Sequence, residues 1–269
     1  MTSDQVFHLQ SYLGRIGFEG SVEPTSTVLE ALHARHLDSI PFENIDVRLG
    51  RGVGLDLATL QAKLVDRRRG GYCFEQNTLF AAALRAIGFA VETLEARVRR
   101  PGATTPLPRT HMVLVVEVAR RRWLVDVGFG GDGSLLPVPL DGEPSEQADG
   151  VYRVERKATG VRVLRRRFSG EWSDLYAFRL TPALPVDFVV ANHFTSTYPS
   201  SVFVRTLTVQ RSVAGERRIL RGRSYTVRRG EELSGREISD DALPGLLATE
   251  FGLELSDGEN QALVEVTSK

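Results

Sequence analysis

Apolar residues recur every three to four positions through the first ninety residues and at every second position over most of the chain that follows. Val6, Leu9, Leu13 and Ile16 form one helical stripe, with Ser3 as its cap and Gly17 as its stop. Leu29, Leu32, His36, Leu37 and Ile40 form a second, ended by Pro41. A third runs from a cap at Asp56 through Leu57, Leu60 and Leu64 to Gly70-Gly71. The fourth follows at once, with Phe74, Phe80, Leu84 and Ile87 on one face and Gly88 just past its end. These stripes predict a small helical bundle over residues 1–90.

The pattern then alternates. Val91–Arg100, Thr110–Val118, Arg121–Phe129, Tyr152–Lys157, Val161–Arg166 and Leu175–Leu180 are rich in β-branched and aromatic residues, and Ala158-Thr159-Gly160 is suited to a hairpin turn. An antiparallel sheet or barrel is expected over 91–200. A mixed α/β segment is expected over 201–269, with strands at Val202–Gln210, Arg217–Leu220 and Ser224–Val227. A closing helix is expected near Leu243–Phe251, with Pro244 in its first turn. The order of elements is α+β. It lacks the βαβ alternation of a doubly wound nucleotide-binding sheet.

Composition narrows the function. Lys and Arg number 34, as do Asp and Glu, so the net charge is zero and a nucleic-acid or membrane-surface partner is not expected. Apolar residues at 42% of a 269-residue chain allow a substantial core. Unbroken apolar runs such as Phe80–Leu84 and Met112–Val116 are far too short to span a bilayer. The opening Met1-Thr-Ser-Asp-Gln has no secretory character, so a cytoplasmic protein is expected. A single cysteine excludes an intrachain disulfide and a cysteine-based zinc cluster.

That cysteine lies in Arg69-Gly-Gly-Tyr-Cys73-Phe-Glu-Gln-Asn77, where two glycines break one helix and Cys73 opens the next. Unpaired N–H groups and the positive end of the dipole there favour a thiolate. A small buried hydrophobe is the competing reading. A nucleophilic thiolate needs a base, and the base needs an orienting group. His8, His33 and His36 fall on predicted helices among polar neighbours and read as surface or helix-face residues; His193 falls in a loop. The three-residue spacing of His33 and His36 has no carboxylate set to complete a metal site. His111 instead opens an apolar strand, and the next strand carries a lone acid, Asp126, between valines. A tight turn at Ala119-Arg120 pairs Val118 with Arg121 and puts Asp126 opposite Val113 and His111 opposite Gly128. His111 and Asp126 are then diagonal neighbours on one face. Met112, Leu114, Val116 and Val118 share the other face with Trp123, Val125, Val127 and Phe129. A one-residue slip would scramble both faces. The residues thus propose Cys73 as nucleophile, His111 as base and Asp126 as orienting acid, a set suited to thiol-based acyl transfer or hydrolysis.

With these residues in view, the chain resembles the arylamine N-acetyltransferases. The likeness rests on Tyr12-Leu-Gly-Arg-Ile-Gly17, Ile40-Pro-Phe-Glu-Asn-Ile45, Arg68–Asn77, Thr110-His111-Met112 and Val125-Asp-Val-Gly-Phe-Gly130. It implies a helical bundle, a β-barrel and an α/β lid in a cysteine-protease-like topology, and a Cys73–His111–Asp126 triad. It implies acetyl-CoA as co-substrate, no metal, and an arylamine, arylhydrazine or hydrazide acceptor acetylated through an acetyl-cysteine, a chemistry of xenobiotic metabolism. Phe42, Val98, Phe129 and Phe203 match positions lining the acceptor pocket, and Thr110 and Gly130 match positions beside the pantetheine arm. Glu43 and Arg68 match a structural ion pair. The Arg120–Arg122 and Arg165–Arg167 runs read as solvated strand ends. Three rivals stay open: a macrolactam-forming amide synthase with the same triad, a thiol hydrolase, and a non-catalytic protein with a buried cysteine. The acceptor, the acyl-chain preference, the seat of the CoA nucleotide and the oligomeric state are not legible in the sequence.

Overall fold

Caps and stops decide where the early helices begin and end. The computed structural model describes residues 7–100, 102, 105–213 and 215–267; Ser3 and Val6 lie outside them. Helix α1 spans Leu9–Arg15 and α2 spans Ser26–Ser39, opened by the Thr25 hydroxyl accepting from the Val28 N–H. The two-residue strand β1 (Phe42–Glu43) and the turn α3 (Ile45–Arg48) follow. Asp56 caps α4 (Leu57–Leu60) as expected, its carboxylate accepting from the Thr59 N–H at 2.9 Å. The chain then widens into a π-helical turn over Gln61–Asp66. It stops short of the glycines because Arg68 adopts a left-handed φ of 52°. Helix α5 (Cys73–Ile87) ends at Gly88, where φ is 105°. Its Phe74, Leu79, Phe80 and Leu84 are buried with Leu29, Leu32, Leu60 and Leu64 in the largest core.

The middle of the chain forms an eight-stranded antiparallel sheet that curls toward closure. Its strands are β2 (Ala90–Val98), β3 (His111–Val118), β4 (Arg121–Val125), β5 (Val138–Pro139), β6 (Ser145–Gln147), β7 (Gly150–Arg156), β8 (Arg162–Phe168) and β9 (Glu171–Pro182). They are ordered β5-β4-β3-β2-β9-β8-β7-β6, and β5 also packs near β7. Leu94, Val113, Val115, Leu124, Val154, Leu164 and Tyr176 fill the interior. The β3–β4 register is the one expected, with Val118 opposite Arg121 and Leu114 opposite Val125. Ala119 and Arg120 both take positive φ, 52° and 61°, as a two-residue hairpin turn of this hand requires.

Two departures follow the barrel. Residues expected to belong to the sheet form α6 (Pro185–Thr197), and the start of the strand expected at Val202 forms α7 (Val202–Arg205). Valines at 186, 189, 190, 202 and 204 favour strands on propensity alone. Local start signals outweigh them: Pro185 in the first turn with the Asp187 carboxylate accepting from the Leu184 N–H, and the Ser201 hydroxyl accepting from the Phe203 N–H. The last segment holds β10 (Thr208–Val213), β11 (Glu216–Arg221), β12 (Ser224–Arg229) and β13 (Glu232–Glu237). β1 joins their edge by pairing Phe42 with Gln210. Helices α8 (Ala242–Phe251) and α9 (Asp257–Thr267) cover a core of Leu207, Val209, Leu220, Leu247, Phe251 and Leu263. β13 is exposed throughout and α9 buries only Leu263, so neither carries the apolar rhythm that marks an element in sequence. No described helix is long and apolar enough to cross a membrane.

Candidate active site

Close backbone approaches build the site. Gly71 bridges Phe42, and the Glu43 N–H donates to the Gly71 carbonyl at 3.0 Å. A Cβ at Gly70 would collide with the Pro41 carbonyl oxygen, and one at Gly71 would meet a Glu75 carboxylate oxygen at 2.7 Å. The glycine pair therefore serves a tight backbone contact rather than a helix break. Glu75 closes the turn by accepting from the Tyr72 N–H at 3.0 Å, and Cys73 enters the first turn of α5. Gly128 presses on that same turn: a Cβ there would lie 2.7 Å from Cys73 Cα.

Cys73, His111 and Asp126 are all buried, each 3% exposed. His111 Nε2 donates to Asp126 Oδ2 at 2.7 Å. The other ring nitrogen is left for Cys73, whose thiol also reaches the Thr110 carbonyl at 3.7 Å. Burial opposes a charged imidazole, but the charge and hydrogen bond of Asp126 outweigh it and, with a hydrogen bond to Cys73, push His111 up to about 10. Asp126 is likewise penalised by burial, yet His111 and hydrogen bonds from Asn77 and the Gly128 N–H hold it below the usual carboxylate range. Asn77 Nδ2 donates to Asp126 Oδ1 at 2.9 Å and to the Met112 carbonyl at 2.8 Å, and its own oxygen accepts from the Val127 N–H. Tyr176 packs against His111 at a ring separation of 5.0 Å, and its hydroxyl is pushed up by burial first and by Asp126 second. Asn77 and Tyr176 were missed in sequence. Asn77 sits one turn past Cys73, the one available hint.

The resemblance-derived positions distribute around this centre. Phe203 in α7 packs against Phe42 and Tyr72 at ring separations of 5.8 and 5.7 Å. Phe129 meets His111 edge-on at 5.2 Å, so it lies on the His111 side and not on the apolar face assigned by strict alternation. The β3–β4 ladder ends at Val125, and the chain then turns onto α5, which cancels the alternation. Phe42, Phe129 and Gly130 line a narrow cavity of about 30 Å³ beside Asp126. Val98, half-buried at the end of β2, lies across from Tyr176 on the same sheet face. Gly130 has a φ of 67° and abuts the side-chain amide of Gln210.

Several expectations are corrected. His33 and His36 are fully buried. His36 accepts from the Tyr12 hydroxyl at 2.8 Å and donates to Gln76 Oε1 at 2.6 Å, while Gln76 donates to the Pro41 and Gly71 carbonyls. This chain braces the glycine loop, which explains a histidine in the core. His33 lies 3.0 Å from the Leu135 carbonyl. His193 is helical and exposed. The partner of Glu43 is Arg69, at 2.7 Å, because the left-handed Arg68 turns its side chain outward. Arg166 is no solvated strand end: it is buried against Asp149 at 3.2 Å and pairs with Asp132. Arg217 joins that cluster and donates to the Gly131 and Gly133 carbonyls, bracing the glycine-rich loop. Asn44 ties the segment after β1 to the α7–β10 connection through the Phe203 and Thr206 carbonyls and the Thr208 N–H. Among the described residues, no group of three or more His, Cys, Asp or Glu is arranged to hold a metal ion.

A family profile described as N-acetyltransferase matches residues 25–260. An arylamine N-acetyltransferase of Mycolicibacterium smegmatis is 42% identical over 256 residues, covering 93% of each chain. The chain belongs to the arylamine N-acetyltransferase family. It is thus an acyltransferase, with the α+β fold of its relatives. The arylamine N-acetyltransferase of Salmonella typhimurium superposes with a TM-score of 0.91 at 32% identity, over 98% of this chain and 99% of that one. The enzyme of Mycobacterium marinum, solved in complex with CoA, gives 0.91 at 35% identity, over 97% and 98%.

Proposed function

We propose that the protein transfers an acetyl group from acetyl-CoA to the nitrogen of an arylamine, arylhydrazine or hydrazide, through an acetyl group held on Cys73. The observation that carries this reading is the buried line Cys73–His111–Asp126, in which Asp126 claims one ring nitrogen and leaves the other for the thiol. In the first half-reaction the Cys73 thiolate attacks the thioester carbonyl, and the departing CoA sulfur takes the proton from the His111 imidazolium. In the second, the acceptor amine attacks acetyl-Cys73, its proton passes to His111, and the Cys73 thiolate leaves. Backbone N–H groups of the first turn of α5 stabilise the tetrahedral oxyanion. Thioester exchange is close to isoenergetic and amide formation runs downhill.

Phe42, Val98, Phe129 and Phe203 line the acceptor side in this reading, and Thr110 and Gly130 flank the pantetheine arm. Residues 1–90 supply the nucleophile, 91–200 the base and acid, and 201–269 the lid. The site of action is the cytoplasm. The test is incubation with acetyl-CoA and a panel of arylamines and hydrazines, following CoA release and acetylated product. Product formation in step with CoA release supports the reading. Free acetate in place of amide would overturn it in favour of a hydrolase.

A further inference from the structure

One sizeable opening among the described residues lies away from Cys73. A groove of about 430 Å³ lies between the middle of α5, the start of β2 and the segment leading into α6. This is an ordinary size for a small-molecule site. Its walls are mainly apolar, with Leu55, Met112, Pro182, Ala183 and Phe188 joined by the hydroxyls of Thr78 and Thr93, and its rim carries Arg85 and Glu92. It approaches β3 from the side of Met112, opposite the face that holds His111. The two rim charges differ in one respect. Glu92 is neutralised by Arg122 at 2.9 Å. Arg85 donates to the Val91 carbonyl at 3.1 Å and has no carboxylate partner among the described residues.

An apolar trough of this volume ending at an unpaired guanidinium matches an amphiphile with one anionic group. We propose that this groove is a second binding site, for a small apolar carboxylate whose chain or ring lies along Leu55, Met112 and Phe188 and whose carboxylate pairs with Arg85. A cationic or zwitterionic ligand finds no free acid there, and a neutral one leaves Arg85 unpaired. The site adjoins the centre from behind. Thr78, on its wall, donates to Met112 Sδ at 3.6 Å; Met112 follows His111 directly in the chain, and its carbonyl accepts from Asn77. A ligand in the groove therefore touches the strand and helix that carry the triad without entering the acetyl site.

Decanoate, decan-1-ol and decyltrimethylammonium are the probes, titrated calorimetrically into the protein after Cys73 has been alkylated with iodoacetamide, so that the acetyl site is blocked. Decanoate should bind saturably at one site, more tightly than the alcohol, and the ammonium should not bind. Arg85→Gln should weaken decanoate about tenfold and leave the alcohol unchanged. Ala183→Trp, on the half-exposed wall, should abolish both. Methyl NMR should show Met112 and Leu55 shifting. Equal binding of decanoate to the native and Arg85→Gln proteins, binding that survives Ala183→Trp, or no saturable binding would overturn the proposal. Binding accompanied by dimerisation in analytical ultracentrifugation would also overturn it, because a second copy would then own the groove. None of these outcomes depends on the acetyl-transfer reading.

Discussion

His111 donates through Nε2 to Asp126 Oδ2 at 2.7 Å, although one opens β3, the other lies just past the end of β4, and fifteen positions separate them in the chain. The hairpin register brings them together, and Asp126 thereby selects the tautomer that offers the remaining nitrogen to Cys73. Asp126→Asn keeps the shape and loses the charge, so turnover should fall about 100-fold or more while the fold persists. Near-wild-type kcat with circular dichroism unchanged would contradict the role. Asp126→Ala should in addition cost about 1–3 kcal/mol in urea unfolding, since it leaves a buried ring nitrogen unpaired.

Asn77 holds three partners in one place: Asp126, the Met112 carbonyl and the Val127 N–H. Asn77→Ala should destabilise the protein by about 1–3 kcal/mol, through buried groups left without partners. It should lower kcat more than it raises KM, because Asp126 loses a hydrogen bond while the acceptor side is untouched. Equilibrium unfolding and steady-state kinetics on the same preparation separate these effects. An unchanged unfolding midpoint would contradict the account.

Adjacent arginines should behave oppositely. Arg69 is buried against Glu43, whose other oxygen accepts from the Ile45 N–H, while Arg68 is exposed with a left-handed backbone. Arg69→Met leaves Glu43 as an unpaired buried charge and should cost about 3–5 kcal/mol. Arg68→Gly relieves a strained φ and should be neutral or slightly stabilising. Thermal unfolding of the two variants side by side tests this, and equal losses would contradict it.

The architecture and the grouping of Cys73, His111 and Asp126 were largely legible because each rests on a local signal: helical spacing with caps, alternation, and a glycine-bracketed cysteine. The hairpin arithmetic gave the His111–Asp126 pair because the turn at Ala119-Arg120 is the tight one. Legibility failed where a tertiary contact outweighs the local pattern. His36 reads as a surface residue until Tyr12 and Gln76, from two other elements, supply its hydrogen bonds. Phe129 reads as an outer-face residue until the Gly128 contact with Cys73 bends the strand. The shift from Arg68 to Arg69 depends on one left-handed φ that no pattern announces.

The buried histidines make stability depend on pH. Burial holds His36 down to about 3 and His33 to about 4, against an ordinary value of 6.5. Their folded values are depressed, so the stability they confer is present above pH 6.5 and is lost as the pH falls through the folded values. His111 has the opposite sign: raised to about 10, its contribution is intact below 6.5 and is lost as pH rises toward 10. Urea midpoints should therefore decline steeply on acidification below pH 6.5, and His36→Gln should flatten that limb. A limb of equal slope in the variant would contradict the assignment.

The central claim is that the acetyl group rests on Cys73 between the two half-reactions. Intact-protein mass spectrometry after brief exposure to acetyl-CoA, with no acceptor present, followed by peptide mapping, tests it most directly. The account predicts one acetyl group, on the peptide containing Cys73, discharged by addition of an arylamine and absent from Cys73→Ser and Cys73→Ala. An acetyl group on another peptide, or wild-type turnover by Cys73→Ala, would contradict it.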